Sequence, residues 1–394
     1  MMYRRFGRTE LPMPVITAGG MRYQKSWTEL EWSEIDDEAQ ANLRACIDHA
    51  WANGITHIET ARGYGTSERQ LGRVLPDLDR ERLILQTKVG PTETAEDFIR
   101  TFETSLERLG ADHVDLLGIH GVNNRELLEL TLKPGGCLEA AEALRRDGRC
   151  RFLGFSTHAP TDVIVDGCAT DRFDYVNLHY YWSDQANLPA VEMAARHDMG
   201  VFIISPNDKG GRLYSPSAKL VELCAPVVPM TFNHLWCLRD ERIHTLSIGA
   251  ARPSDYDPAI EAARLLPEVD MLLPPIEARL HAAVVEALGE DWAAGWWRGL
   301  PGTDDTPGTV DLYQMLRLYT MAKAYDLVEF ARARHGQFGN GGHWVYGNQL
   351  DKLDLDAALP LLTGSPVAER LPAALAEATE ILVGEQNKRL SQGG

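Results

Sequence analysis

From residue 14 to about residue 265, short β-branched or apolar runs alternate with longer stretches whose apolar residues recur every three or four positions. That is the rhythm of βα units building a parallel sheet. The runs Val15–Ala18, Ile55–Glu59, Leu83–Lys88, Val114–Ile119, Phe152–Ser156, Tyr175–Leu178, Val201–Ser205 and Thr245–Ile248 predict eight strands, each followed by a loop and a helical pattern. In the first helix Leu43, Cys46, Ile47, Ala50 and Trp51 fall on one stripe, and Asn53-Gly54 offers its stop. Phe98, Phe102, Leu106 and Leu109 repeat the pattern in a later helix, ended by Gly110. Eight such units predict an α/β chain folded as a (β/α)8 TIM barrel, whereas a doubly wound sheet would carry a glycine fingerprint after its first strand, and none is present. Tyr3–Phe6 and Leu11–Met13, flanking Gly7-Arg8-Thr9-Glu10, predict a small N-terminal β-hairpin outside the barrel. Past residue 265 the pattern becomes helical, broken by Pro274-Pro275, Pro301-Gly302, Pro307-Gly308 and Gly339-Asn340-Gly341-Gly342. The expected organisation is a barrel over 1–265 and a helical C-terminal extension over 266–394.

With 39 Lys plus Arg against 57 Asp plus Glu, the formal charge is −18. Such a field repels phosphate backbones and acidic lipid surfaces, so neither nucleic acid nor a membrane is an expected partner. No apolar run approaches the length of a membrane helix. The cysteines stand at 46, 137, 150, 168, 224 and 237 with no CxxC pair, a spacing that suits neither a zinc ribbon nor a cluster loop and fits a reducing, cytoplasmic setting. No metal site is expected.

In a TIM barrel the chemistry sits at the C-terminal ends of the strands. Glu59 closes the second predicted strand, Tyr64 follows in the next loop, Lys88 closes the third and His120 follows the fourth. Reducing a carbonyl by hydride requires a proton for the developing alkoxide. A tyrosine can supply it if a nearby ammonium favours the phenolate, the part assigned to Lys88. Glu59 would keep Lys88 charged and placed, and His120 would hydrogen-bond the carbonyl and stabilise the oxyanion.

The segments Met2-Tyr3-Arg4-Arg5-Phe6-Gly7-Arg8-Thr9, Ala61-Arg62-Gly63-Tyr64-Gly65-Thr66-Ser67-Glu68, Leu85-Gln86-Thr87-Lys88, Val114-Asp115-Leu116-Leu117-Gly118-Ile119-His120 and Gly154-Phe155-Ser156-Thr157-His158 resemble the successive signatures of the aldo/keto reductase family. The resemblance runs from the first residues to about 260. It implies a catalytic tetrad in which Tyr64, Lys88 and His120 match three members, and Glu59 stands where the family usually has Asp, one methylene further out. It also implies NADPH as cofactor. Ser156 and Thr157 follow the fifth strand, where the carboxamide is held, and Asn177 sits where the family usually has Gln in that role. Tyr180 or Tyr181 matches the aromatic on which the nicotinamide stacks. Ser205 and Lys209 belong to the pyrophosphate loop, and Gly249 and Arg252 to the segment that binds the adenosine 2′-phosphate. Arg252 favours NADPH over NADH.

Leu312–Asp326 and Gly341–Asn348 are similar to the tail of a subgroup whose members end in a ferredoxin-like module with a cysteine-ligated cluster. This tail has no cysteine, so the extension is expected to keep the module's frame without the metal, as a cap or a surface for a protein partner. Trp292, Trp296, Trp297 and Trp344 would form the core of that cap or a substrate wall. The function expected is NADPH-dependent reduction of a small-molecule aldehyde or ketone with Tyr64 as proton donor. The alternative is a cofactor-binding regulatory or scaffold protein with weak or no turnover. A glycoside hydrolase is disfavoured because no second strand-end acid accompanies Glu59.

Overall fold

A computed structural model of the chain describes residues 1–384. They form two compact units, one made of Met1–Tyr180, Asn187–Pro206 and Cys237–Pro267, the other of Tyr181–Ala186, Asn207–Trp236 and the chain from Glu268 onward.

The first unit opens with β1 (Tyr3–Arg5) and β2 (Pro12–Pro14), an antiparallel pair joined through a short 3-10 turn at Gly7–Thr9. The barrel strands follow as β3 (Ile16–Gly19), β4 (His57–Glu59), β5 (Ile84–Val89), β6 (Val114–His120), β7 (Cys150–Ser156), β8 (Tyr175–Leu178), β9 (Gly200–Ile203) and β10 (Thr245–Gly249). They pair in parallel in chain order, and β10 closes on β3 to complete an eight-stranded barrel. The expected barrel and hairpin are both present, and each strand falls within a few residues of its predicted run. Phe6, Leu11 and Met13 of the hairpin segment share a buried cluster with Ile84, Leu116, Tyr175 and Phe202. Ile84 and Tyr175 open their strands, so the hairpin plugs the N-terminal end and leaves the C-terminal ends for the site.

The helix Asp37–Ala52 starts where the Asp36 side chain accepts from Ala39 N, and it buries Leu43, Cys46, Ile47 and Ala50. Trp51 departs from the predicted stripe: it is half-buried, with the Arg82 guanidinium 5.3 Å over its ring. The helix Ala95–Leu109 buries Phe98, Phe102, Leu106 and Leu109 and ends at Gly110 with φ +61°, as its pattern predicts. After β4 the helical pattern gives only the short helix Ser67–Leu71.

The second unit is helical, with Val269–Leu288, Leu312–Tyr325, Val328–His335 and Leu371–Leu382 as its longer helices in the chain after residue 267. Pro274-Pro275 was expected to break a helix and lies inside Val269–Leu288 instead. The pair sits just past the first turn, so only two intrahelical bonds, to Asp270 and Met271, are forgone. Trp292 is fully buried and donates from Nε1 to Thr320 Oγ1 at 2.9 Å, whereas Trp297 and Trp344 are exposed. His335 accepts from Leu350 N at 3.0 Å, and burial holds its imidazole down at about 4. No helix among the described residues is long and apolar enough to cross a membrane.

Candidate active site

Strand register decides which side chains can meet. In the barrel unit Glu59 lies beside Gln86, Lys88 beside Gly118, and His120, Ser156 and Asn177 share one row across β6, β7 and β8. Glu59 and Lys88 are almost wholly buried and form an ion pair between Oε2 and Nζ. Lys88 Nζ also donates to Thr60 O at 2.7 Å. A Cβ at Gly118 would stand 3.1 Å from Lys88 Cγ, so the glycine leaves room for the lysine stem. Burial lowers the Lys88 ammonium from its ordinary value, and the Glu59 carboxylate acts against that.

The extra methylene of Glu59 is accommodated by a second partner, since Ser247 Oγ donates to Glu59 Oε1 at 3.0 Å. Ser247 is not among the residues the sequence points to. Its signal was the alternation in Thr245-Leu246-Ser247-Ile248, which turns two hydroxyls to the side opposite two aliphatic residues. A Cβ on Gly19 would come within 2.6 Å of Ser247 Oγ, so the glycine ending β3 makes space for this contact.

Tyr64 follows β4 on a loop held by Arg62 N, which donates to Lys88 O at 2.9 Å. Lys88 Nζ lies 4.9 Å from the Tyr64 ring centroid. The His120 ring meets Tyr64 edge-on at 5.4 Å between centroids, and Trp27 meets it at 6.2 Å. With Lys88 this close, the Tyr64 phenol is still, on balance, harder to ionise than a free one. Burial, with the Glu59 carboxylate adding to it, holds the Tyr64 phenol well above its ordinary value. The hydroxyl therefore keeps its proton at neutral pH, the state a proton donor requires.

Asn177 is fully buried, and neither its Oδ1 nor its Nδ2 has a hydrogen-bond partner among the described residues. A buried amide with both functions open is costly unless a ligand or water completes it, and a carboxamide offers the matching donor and acceptor. In the same row Ser156 Oγ accepts from Gly121 N at 3.1 Å and keeps its own hydrogen to donate. The Thr157 hydroxyl donates to Val122 O at 2.6 Å and accepts from Ala159 N at 3.0 Å, which fixes the turn after β7. Tyr180 is buried, its phenol pushed up to about 12 by burial, and its carbonyl accepts from Cys237 Sγ at 3.4 Å. Ser205 takes φ +53°, a left-handed conformation rare for a residue with a side chain.

At the end of β10, a Cβ on Gly249 would meet the Arg22 side chain at 3.1 Å. Arg252 is exposed and its guanidinium is already paired, with Nε 3.1 Å from Asp255 Oδ1. Asp255 Oδ2 accepts from Ala251 N at 2.8 Å and Arg252 N at 3.3 Å, so a carboxylate of the chain occupies the donors expected to meet a 2′-phosphate.

Tyr181 and Lys209 belong to the second unit. Tyr181 is fully buried and its backbone pairs with that of Asp184. Burial, then the charge of Arg334, holds the Lys209 ammonium well below its ordinary value. Arg317, buried on the helix Leu312–Tyr325, donates to Ser183 O at 2.6 Å and Lys209 O at 2.8 Å and thereby ties those two loops to the helix.

The family model described as the aldo/keto reductase family matches residues 15–215. An aldo-keto reductase of Mycobacterium sp. (strain KMS) is 39% identical over 155 residues, which cover 38% of this chain and 52% of that protein. The L-galactose dehydrogenase of Arabidopsis thaliana is 29% identical over 185 residues, 43% of this chain and 56% of that protein. The chain thus spans about half the length of these relatives. Among solved structures, the holo form of an aldo-keto reductase from Bacillus halodurans superposes with a TM-score of 0.59 at 20% identity, covering 71% of this chain and 96% of that one. An aldo-keto reductase from Klebsiella pneumoniae in complex with NADPH gives a TM-score of 0.53 at 21% identity, with coverages of 69% and 95%. At that identity the likeness is one of fold.

Proposed function

The chain belongs to the aldo/keto reductase family, and we propose that it is an oxidoreductase reducing a small-molecule aldehyde or ketone to an alcohol, with NADPH as hydride source and Tyr64 as proton donor. The observation that carries this reading is the convergence of Lys88 and His120 on Tyr64, with Glu59 buried against Lys88.

In this reading the open amide of Asn177 and the Ser156 hydroxyl hold the carboxamide, beside Tyr180. Ser205, Gly249 and Arg252 serve the rest of the dinucleotide, and Tyr181 and Lys209 enter through the sequence likeness alone. When bound, the nicotinamide supplies the hydride. Tyr64 Oη gives its proton to the developing alkoxide, and the electron pair left on the phenolate is stabilised by the Lys88 charge beneath the ring. Glu59, tied by Ser247, keeps Lys88 protonated and in place although burial opposes its charge. His120 turns its ring toward Tyr64 to hydrogen-bond the carbonyl oxygen and stabilise the negative charge that builds there. The paired state of Arg252 tempers the preference for NADPH over NADH.

Residues 266–394, of which 385–394 lie outside the described residues, complete the reading as a C-terminal extension, helical where described, that caps the chain or meets a protein partner. The similarity of Leu312–Asp326 and Gly341–Asn348 to a ferredoxin-like module belongs to it. Among the described residues no group of three or more His, Cys, Asp and Glu is placed to hold a metal ion. The six cysteines are buried free thiols, which supports a reducing, cytoplasmic setting.

The test is NADPH consumption with nitrobenzaldehyde by the wild type and Tyr64→Phe, after both are shown to bind NADPH. Turnover lost in the variant with binding retained is the expected result. Equal turnover in both would remove Tyr64 from the role, and binding without turnover in either would favour a regulatory function.

A further inference from the structure

On the outer wall of the barrel unit, the short helix Ser67–Leu71 and the last turn of the helix Ala95–Leu109 border a half-open cavity of about 370 Å³ lined by Trp32, Arg69, Arg73, Glu107 and Arg108 among others. Three guanidinium groups on one small wall stand out in a chain of net charge −18. We propose that this cavity binds a small phosphate-bearing ligand, in competition with the carboxylate of Glu29.

The three arginines are unequally satisfied. Arg73 is exposed and lies over the Trp32 ring at 4.4 Å, and it makes no ion pair among the described residues. Arg69 has only long contacts, 3.7 Å to Glu29 and 3.6 Å to Glu31, and its Nε is buried with no hydrogen-bond acceptor among the described residues. Arg108 Nη1 is 2.6 Å from Glu29. Glu29 is thus divided among Arg69, Arg108 and also Arg62, and Arg62 carries a further contact to Glu68 at 3.3 Å.

One carboxylate has two oxygens and cannot saturate three planar forks, each able to take a bidentate acceptor. A phosphate group brings more oxygens and a second negative charge, and the cavity has room for it. Glu107 on the wall opposes any anion, so the arginines must outweigh it. Stacking on Trp32 pre-orients Arg73 and lowers the cost of ordering it. The displaced Glu29 belongs to the same loop as Trp27, which packs against Tyr64. The site therefore sits on a segment that reaches the reductase centre, although its occupation does not depend on turnover.

The experiment is a titration of the full chain with inorganic phosphate, read by intrinsic tryptophan fluorescence against potassium chloride at matched ionic strength and with NADPH present at saturation. A saturable change beyond the salt control is expected. It should weaken about tenfold in Arg73→Ala and in Arg69→Gln, each of which removes a charge-assisted contact, and tighten in Glu29→Gln, which removes the competitor. Arg73 is exposed and unpaired, so its variant folds even if Arg69→Gln does not. No saturable change, or an undiminished one in Arg73→Ala, overturns the proposal. Because nothing is turned over, the result stands apart from whether the chain is a reductase.

Discussion

Ser247→Ala removes one hydroxyl and isolates how the Glu59–Lys88 pair is held. Glu59 is 3% exposed, and its Oε1 takes its hydrogen bond from Ser247 Oγ at 3.0 Å. Without that donor a buried carboxylate oxygen is left open where water enters poorly. The cost of orphaning a buried group bonded to a charge is about 1–3 kcal/mol, enough to lower a urea midpoint measurably. The carboxylate also becomes free to swing on its longer arm, and Lys88 moves with it beneath Tyr64. A displacement of about 1 Å at a reacting centre can cost about 100-fold in rate. The expected result is a fall of roughly 10- to 100-fold in kcat with smaller change in KM, alongside the stability loss. The assays are urea unfolding and NADPH-coupled turnover on the same preparations, with Glu59→Gln and the double variant completing a cycle. A stability change below about 0.5 kcal/mol together with unchanged kcat would refute the role given to Ser247, as would strict additivity in the cycle.

Asp255→Asn should leave Arg252 free for a phosphate and tighten NADPH binding about two- to fivefold while leaving NADH unchanged, the scale of an exposed ion pair; equal effects on both nucleotides in a fluorescence titration would dissociate this loop from the 2′-phosphate. Burial holds His57 down at about 3 and His244 at about 4. Each is protonated first in the unfolded chain, so their contribution to stability is full above about pH 6.5 and falls as pH drops toward the folded values, by about 1.4 kcal/mol per pH unit for each histidine. Glu68 and Asp174, raised by burial, act the other way, so the measurement is the change in slope between pH 6.5 and 5 on His57→Gln; an unchanged slope sinks the assignment. Arg317→Met should destabilise the second unit by about 3–5 kcal/mol, because Asp184 loses a buried counter-charge 3.6 Å away; a urea curve superimposable on the wild type would contradict it.

The barrel was legible because its signals are local. An apolar run of strand length, an amphipathic helix such as Ala95–Leu109 and a glycine that ends it depend on residues within one or two turns. Glu59, Tyr64, Lys88 and His120 could be found because a barrel brings strand ends to one mouth, so position in the chain already implies position in the site. Pro274-Pro275 misled because proline reads as a stop, and only the surrounding turn shows that two missing bonds near a helix start are tolerated.

Contacts between segments distant in the chain were left to tertiary structure. Ser247 meets Glu59 across 188 residues, and no local periodicity encodes such a pairing. Likewise, only folding shows that Asn177 is buried with its amide open, that Asp255 already holds Arg252, and that Glu29 is divided among three arginines. The electrostatics followed the same division. The sequence placed Lys88 near Tyr64 and so expected an easier phenolate, but burial penalises the charged phenolate, and the folded environment holds the proton on the hydroxyl. Sequence fixes which groups are available along each strand, and the long-range packing of the barrel fixes their partners and their charge.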